Sequence, residues 1–259
     1  MQNEYSSGPL PEWDYSRLAV HYERRAPYHP SFVALAAEGL GLQPGQRVAD
    51  IGSGTGRVAL AFASAGYVVD AVEPCVEMAR IGLRATQGAN VSWHGGCAEE
   101  TGLSESVFDV VSFGSSLNVV DAARAVPEAA RVLKSHGALV IVYNYRDKTE
   151  ALQREIERAI RTLLPDFDPG ARSQDPTAII ESGKLFRVRQ KLQLPLVHSI
   201  SPGEFVDGFR AHATLVRQAG NRLQKILDEL GRLSDAWRGA DGKIRIPFST
   251  HMWLAEARH

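Results

Sequence analysis

Between residues 47 and 145, short apolar runs rich in β-branched residues alternate with longer stretches whose apolar positions recur at helical spacing. That alternation is the pattern of βαβ units, and so of a mostly parallel sheet with helices on both faces. It predicts strands at 47–51, 67–72, 91–93, 107–113 and 138–143, with helices beginning near Gly56, Cys75 and Asp121. Right-handed crossovers then put a ligand beyond the carboxyl ends of the strands. Upstream, 15–22 and 32–40 read as helices that would cover the carboxyl end of the first strand.

Past residue 146 the periodicity changes. Leu152, Ile156, Ile160 and Leu163 recur at i, i+4, i+8 and i+11, which predicts an amphipathic helix over 149–164, stopped by Pro165 and followed by a loop over 166–175. Residues 186–196 alternate apolar Phe186, Val188, Leu192 and Leu194 with polar Arg187, Arg189, Lys191 and Gln193, a half-buried strand that Pro195 confines to a sheet edge. Ser201-Pro202-Gly203-Glu204 supplies an N-cap, a proline at the first helical position and a capping-box acid. The helix opened there is expected to end at Gly220-Asn221, with another running to about Trp237 and a last strand near 247–255. The expected fold is α/β, a doubly wound, seven-stranded, mostly parallel sheet with helical lid additions. Its organisation reads as an N-terminal helical lid (1–30), a ligand-binding core (31–145), a helical insertion or lid (146–184), and C-terminal strands and helices that complete the sheet and the pocket (185–259).

Composition narrows the partners. At 44% hydrophobic and 23% charged residues the chain has ordinary globular usage. A formal net charge of −1 speaks against a phosphate-backbone partner, so no nucleic acid is expected. Cys75 and Cys97 stand far apart with no Cys-x-x-Cys spacing, so neither a disulfide framework nor a metal site is expected. The start of the chain lacks the cationic and apolar regions of a signal peptide, and no apolar run approaches the roughly 20 residues of a membrane span. The expectation is a cytoplasmic protein without a membrane partner, its oligomeric state open.

The chemistry concentrates after the first strand. Asp50-Ile51-Gly52-Ser53-Gly54-Thr55-Gly56 is a buried strand running into a glycine-rich turn and then a helix, where a ligand can approach backbone amides that a Cβ would block. The second strand leads to Glu73, 21 residues after Gly52, where doubly wound folds place a carboxylate on ribose hydroxyls. Arg57 stands where a dinucleotide fingerprint wants its third small residue, and Asp50 would repel a pyrophosphate while attracting a cationic amino-acid group.

These motifs resemble the class I S-adenosylmethionine-dependent methyltransferases, in particular the small-molecule branch called methyltransferase type 11 or UbiE-like, over roughly residues 15–145. The resemblance implies S-adenosylmethionine as cofactor and S-adenosylhomocysteine as product. It places Asp50, Gly52, Ser53, Gly54, Thr55 and Gly56 around the methionine part, Glu73 on the ribose, and Pro74 to Met78 on the adenine side. Gly96-Cys97-Ala98-Glu99 matches the stretch after the third strand whose Ala98 and Glu99 flank the adenine. Phe113 ends the fourth-strand match and joins the expected cofactor set. Tyr22 and Arg25 resemble, one residue out of step, a segment that closes over the cofactor carboxylate.

The acceptor is expected over the fourth and fifth strands, near Phe113, Asn118, Tyr143, Asn144 and Tyr145, with Arg210 also at the pocket. Asn118 stands where relatives carry a histidine, so it, His212 and Tyr143 are the catalytic candidates, with His94 and His198 as further histidines to place. Methylation of an oxygen or nitrogen of a small molecule is expected, in antibiotic or other secondary-metabolite biosynthesis. The alternatives are a domain that binds the cofactor without transferring methyl, an RNA methyltransferase, and a nicotinamide-dependent oxidoreductase, the last disfavoured by the glycine spacing. Arg187, Arg189 and Lys191 fit a solvated strand face better than a nucleic-acid patch.

Overall fold

Strand β1 (Arg47–Ile51) lies between β2 (Val68–Val72) and β4 (Phe108–Gly114); β3 (Val91–His94) flanks β2 and β5 (Leu133–Arg146) flanks β4, all five parallel. Beyond β5 come β7 (Ile244–Ala257), antiparallel to both its neighbours, and the edge strand β6 (Phe186–Ile200), giving the order β3-β2-β1-β4-β5-β7-β6. The computed structural model describes residues 15, 16, 18–169 and 174–258. The doubly wound, seven-stranded sheet expected from the sequence is therefore present. Its last three strands are longer than expected: Leu133 already pairs with Phe108, and β6 and β7 pair from Phe186↔Ala257 to Ile200↔Ile244, with one register shift between Val188 and Gln190. Pro195 sits on the edge strand, where its missing N–H leaves no ladder partner unsatisfied.

Side chains alternate across the sheet, and this alternation sorts the two core layers. Ala49, Ile51, Val111, Phe113, Leu139, Ile141 and Tyr143 face the layer completed by α5 (Ala122–Val132) and α7 (Thr177–Glu181). Val48, Val69, Val110, Val140 and Val142 face the layer of α2 (Phe32–Leu40) and α3 (Arg57–Ser64). Helix α2 thus buries Phe32, Val33 and Ala36 against the sheet face and does not cover the carboxyl end of β1, which corrects the sequence expectation. The other upstream helix shortens to α1 (Ala19–Tyr22), which leans on α4 (Val76–Ala85) and on α8 (Pro202–Arg210).

A third cluster stands beyond the end of β5. Leu152, Ile156 and Ile160 form one stripe of α6 (Ala151–Leu163) and pack with Phe205 and Phe209 of α8, Ile226 and Leu230 of α10 (Leu223–Ala236), and Ile244 and Ile246 of β7. The capping box of α8 forms as expected: Ser201 Oγ accepts from the Glu204 N–H at 3.3 Å and Glu204 Oε2 accepts from the Ser201 N–H at 3.0 Å. The single helix expected to run to Gly220 is broken at Ala211, because His212 Nδ1 accepts from the Leu215 N–H at 3.2 Å and so caps a separate α9 (Ala213–Ala219). Helix α7 escaped the sequence reading; at five residues it is too short for periodicity to show. Among the described residues no helix is long and apolar enough to cross a membrane.

Candidate active site

The turn after β1 passes through Gly52 (φ 67°), Ser53 and Gly54 (φ 58°), left-handed conformations that only glycine takes at little cost. Space is as restrictive as angle there, since a Cβ on Gly52 would lie 2.6 Å from Ser116 Cβ and one on Gly54 3.3 Å from Met78 Cε. Gly56 (φ 78°) turns the other way: its missing Cβ faces Trp93 and Thr86, behind the loop. It makes room for helix packing and does not line the cavity that Gly52 and Gly54 border, which corrects its expected place in the cofactor set.

Two acids are buried on this loop. Asp50 Oδ1 accepts from Ser112 Oγ at 2.8 Å, while its Oδ2 is buried with no hydrogen-bond partner. Burial pushes its pKa up to about 6, against the pull of the Ser112 and Ser53 hydroxyls. Glu73 accepts from the Gly54 N–H at Oε2 and the Cys75 N–H at Oε1, both at 2.8 Å, which fixes its carboxyl beside the glycine turn. Burial pushes it up to about 7, the nearby Asp50 adding to the rise and the two amides opposing it. Each Glu73 oxygen keeps a second lone pair for a hydroxyl donor.

Both acids open into a cavity of about 690 Å³. Gly52, Ser53, Gly54 and Thr55 form its floor, with Pro74 and Met78 on one side and Ala98 and Glu99 on the other. Tyr22 and Asn118 also line it. Glu99 Oε1 accepts from the Asp121 N–H at 2.7 Å, holding the loop after β4 against the loop after β3. The orphaned Asp50 Oδ2 fits an ammonium, and Glu73 fits a pair of ribose hydroxyls. The donors present therefore fit S-adenosylmethionine and are the wrong charge for a pyrophosphate.

A second cavity of about 280 Å³ adjoins the first, with Tyr22, Tyr28, Arg57, Gly114 and Ser115 shared between them. At the junction Tyr28 and Ser115 hydroxyls hydrogen-bond at 2.9 Å, and Ser115 is a non-glycine residue at φ 58°, a conformation that costs energy and concentrates at functional sites. Burial pushes the Tyr28 phenol up to about 12, so it stays neutral. Apolar walls come from Ile156, Ile160, Phe205, Phe209 and Phe248. Against them stand Arg146, Gln153 and His198, whose Nη1, Oε1 and Nε2 are buried without partners. Burial lowers the His198 pKa, the Arg57 and Arg146 charges lower it further, and a hydrogen bond with the Arg24 backbone and the Glu204 charge oppose this.

The segment from Tyr22 to Pro27 is strapped over this junction. Arg57 donates to the carbonyls of Tyr22, Glu23, Arg25 and Ala26 at 2.5 to 3.4 Å. Asn144 Nδ2 donates to the Ala26 and Pro27 carbonyls at 3.1 and 2.7 Å, while its Oδ1 accepts from Thr250 Oγ1 at 2.5 Å. Asn144 borders the second cavity, with its amide committed to the strap. Arg25 Nη1 donates to the Tyr22 hydroxyl at 2.7 Å, and Arg25 borders the second cavity where the resemblance places it at the cofactor carboxylate.

Other expected site residues lie elsewhere. Phe113 and Tyr143 belong to the α5 layer, 0% and 2% exposed, and line neither of these two cavities, because their odd positions on β4 and β5 point away from the strap. Burial drives the Tyr143 phenol far above its ordinary pKa, which removes it as a base. Arg210 pairs with Asp207 at 3.4 Å and lines neither cavity. His212 borders the second cavity, but its Nδ1 is spent on the α9 cap and its ring stacks 6.5 Å from Phe209. His94 is held by Asp70 at 2.7 Å. Arg189 and Lys191 reach Glu256 and Asp175 on the edge strand, as a solvated face would.

Sheet order, glycine turn and paired acids together define an α/β protein of methyltransferase architecture. Residues 49–141 match the family model of the methyltransferase domain. The chain is similar, at 31% identity over 82% of both sequences, to an uncharacterized methyltransferase of Mycobacterium tuberculosis. It is 37% identical over 41% of both sequences to the ubiquinone/menaquinone biosynthesis C-methyltransferase UbiE of Rubrivivax gelatinosus. In fold it resembles the YcgJ protein of Bacillus subtilis, with a TM-score of 0.56 at 22% identity over 89% of this chain and all of that one. The chain belongs to the class I S-adenosylmethionine-dependent methyltransferases.

Proposed function

We propose that the larger cavity binds S-adenosylmethionine and that the chain moves its methyl group to an oxygen or nitrogen of a small molecule held in the second cavity. The supporting observation is that two cavities of opposite charge meet at Gly114-Ser115, one with a buried carboxylate whose second oxygen is unpartnered and the other with unpartnered polar atoms on apolar walls. When bound, S-adenosylmethionine supplies a methyl group on a positively charged sulfur. Asp50 would hold its ammonium, Glu73 its ribose, and Ala98 and Glu99 its adenine. The protein's further tasks are to hold the acceptor near that methyl and to exclude water. The strap from Tyr22 to Pro27, with α6 and α8, serves as the lid that does this. His198, kept neutral by burial and with Nε2 facing the second cavity, takes the proton that the acceptor loses. An acceptor from specialised metabolism suits a pocket built from added helices.

The test is calorimetry with S-adenosylhomocysteine and NAD, followed by transfer of radiolabelled methyl to fractionated metabolites. Binding of the first ligand alone and label in a low-molecular-weight product are expected. Binding of NAD in preference, binding without any homocysteine product, or label only in RNA would each overturn the proposal.

A further inference from the structure

Arg146, the last residue of β5, carries a charge that the chain does not neutralise. Its Cζ lies 4.4 Å from the ring centroid of Phe209, 5.5 Å from Phe248 and 5.8 Å from Phe205. Among the described residues no acid pairs with it, and its Nη1 is buried without an acceptor. Burial, with a smaller contribution from the Arg25 charge, lowers its pKa to about 10, which still leaves it protonated at neutral pH. A buried cation of this kind is costly unless an anion or hydrogen-bond acceptors meet it. Aromatic faces attract the charge but accept none of the guanidinium's in-plane hydrogen bonds.

The neighbouring residues show that this is a local feature. Two positions earlier on the same strand face, Asn144 has both ends of its amide satisfied. Arg25 is engaged with Tyr22, Arg57 with four carbonyls, and Arg24 with Glu204 at 2.8 Å. Lys148 also borders the cavity but is exposed to solvent, so among the described guanidinium groups lining it Arg146 is the one with a buried nitrogen left over, and the unpartnered Gln153 Oε1 and His198 Nε2 line the same cavity.

We propose that the second cavity takes an acceptor molecule with a carboxylate on an apolar body, and that Arg146 anchors the carboxylate. The role of that molecule as methyl acceptor rests on the methyltransferase reading; the anion site does not. A planar fork meets a carboxylate in two parallel hydrogen bonds, and one uncommitted fork matches one negative charge. Ile156, Ile160 and the three phenylalanine rings suit the apolar body. Gln153 Oε1 and His198 Nε2 are acceptors, so they select a hydroxyl or amine elsewhere on the same molecule.

The test is calorimetry on the full chain saturated with S-adenosylhomocysteine, titrated with matched acids and amides: 3-phenylpropanoate and its amide, phenylacetate and its amide, hexanoate and its amide, with phenyl phosphate alongside. At least one acid is expected to bind about tenfold or more tightly than its amide. Arg146→Gln should abolish that preference with S-adenosylhomocysteine affinity and melting temperature retained, and Arg146→Lys, which keeps the charge and loses the fork, should reduce it. If Arg146→Gln does not fold, the lysine variant decides. Three results would overturn the proposal: no acid is preferred over its amide, the preference survives in the variants, or phenyl phosphate binds more tightly than every acid. Should S-adenosylhomocysteine not bind, the methyltransferase reading fails by itself, and the same titrations on the ligand-free protein still decide the anion site.

Discussion

The two cavities differ in charge and in construction. The larger presents carboxylates, Asp50 and Glu73, on a turn whose ligand-facing surface is mostly backbone; the smaller presents guanidinium and imidazole groups carried by side chains of β5, β6 and the strap. They meet at Tyr22, Tyr28, Arg57, Gly114 and Ser115, which border both, and the Tyr28 and Ser115 hydroxyls bond across the junction. Opposite charges on the two sides of this junction sort two ligands: a cationic nucleoside is favoured in one chamber and repelled from the other, and an anionic acceptor the reverse.

Asp50→Asn tests the acidic side with the largest expected effect. The asparagine keeps an oxygen for Ser112 and loses the charge, so S-adenosylhomocysteine affinity should fall by about 4 kcal/mol, roughly a thousandfold, in calorimetry. The same variant should stabilise the ligand-free protein. Burial raises the Asp50 pKa from 3.8 to about 6, so the folded state binds a proton more tightly than the unfolded one. Ionised Asp50 therefore costs the fold roughly 3 kcal/mol above pH 6, a cost that fades as pH falls toward 3.8. The asparagine variant is expected to melt higher than the parent at pH 8 and no higher at pH 4. A variant that loses affinity and gains no stability at pH 8 would mean that Asp50 is not strained in the empty site.

His198→Asn tests the cationic side. With the base removed, kcat should drop about a hundredfold with cofactor KM unchanged. In the parent, kcat at saturating cofactor should be level above pH 7 and fall as His198 protonates below 6.5, since burial and the Arg57 and Arg146 charges lower its pKa. A kcat that ignores this substitution would leave the acceptor proton to solvent.

The sequence made the acidic chamber legible and left the cationic one dark for a physical reason. Asp50 to Gly54 are contiguous, and Glu73 follows at the distance one βα unit imposes, so a single local pattern carries charge, turn geometry and ligand. Arg146, Gln153, His198, Phe209 and Phe248 come from five elements spread over about a hundred residues, and no local spacing links them. The misplaced residues were within reach. Strand alternation puts Phe113 and Tyr143 on the face of Ile141, and Asn144 and Arg146 on the face of Val142, so period two rather than proximity along the chain sorts them. Arg57 was seen only as a departure from a dinucleotide fingerprint, although it holds the strap.

The strap joins the two chambers, so loosening it should affect both moderately. Arg57→Met removes the side-chain donor to the carbonyls of Tyr22, Glu23 and Arg25, and Asn144→Ala removes the one to Pro27, while the Ala26 carbonyl loses one of its two donors in either variant. Each variant is expected to cost about 1–3 kcal/mol of local stability. KM for cofactor and acceptor should rise together by about tenfold, and a protease should nick residues 15–30 faster than in the parent. Equal cleavage rates would show that other contacts hold the segment.

The smallest effect is the sharpest check on which sheet face belongs to the site. Tyr143 packs between Tyr145 and Trp253, with centroids 6.0 and 5.5 Å away, and is almost wholly buried in the layer behind β5. Tyr143→Phe keeps the ring and its volume, so core packing is retained and stability should move by about 1 kcal/mol or less. If acceptor chemistry belongs to the face of Asn144 and Arg146, kcat and both KM values should stay within about twofold of the parent, a change below about 0.5 kcal/mol. A tenfold loss of kcat at unchanged melting temperature would put the phenol in contact with the reacting atoms. The acceptor would then lie on the opposite face of β5, and the charge division between the two chambers would fail with it.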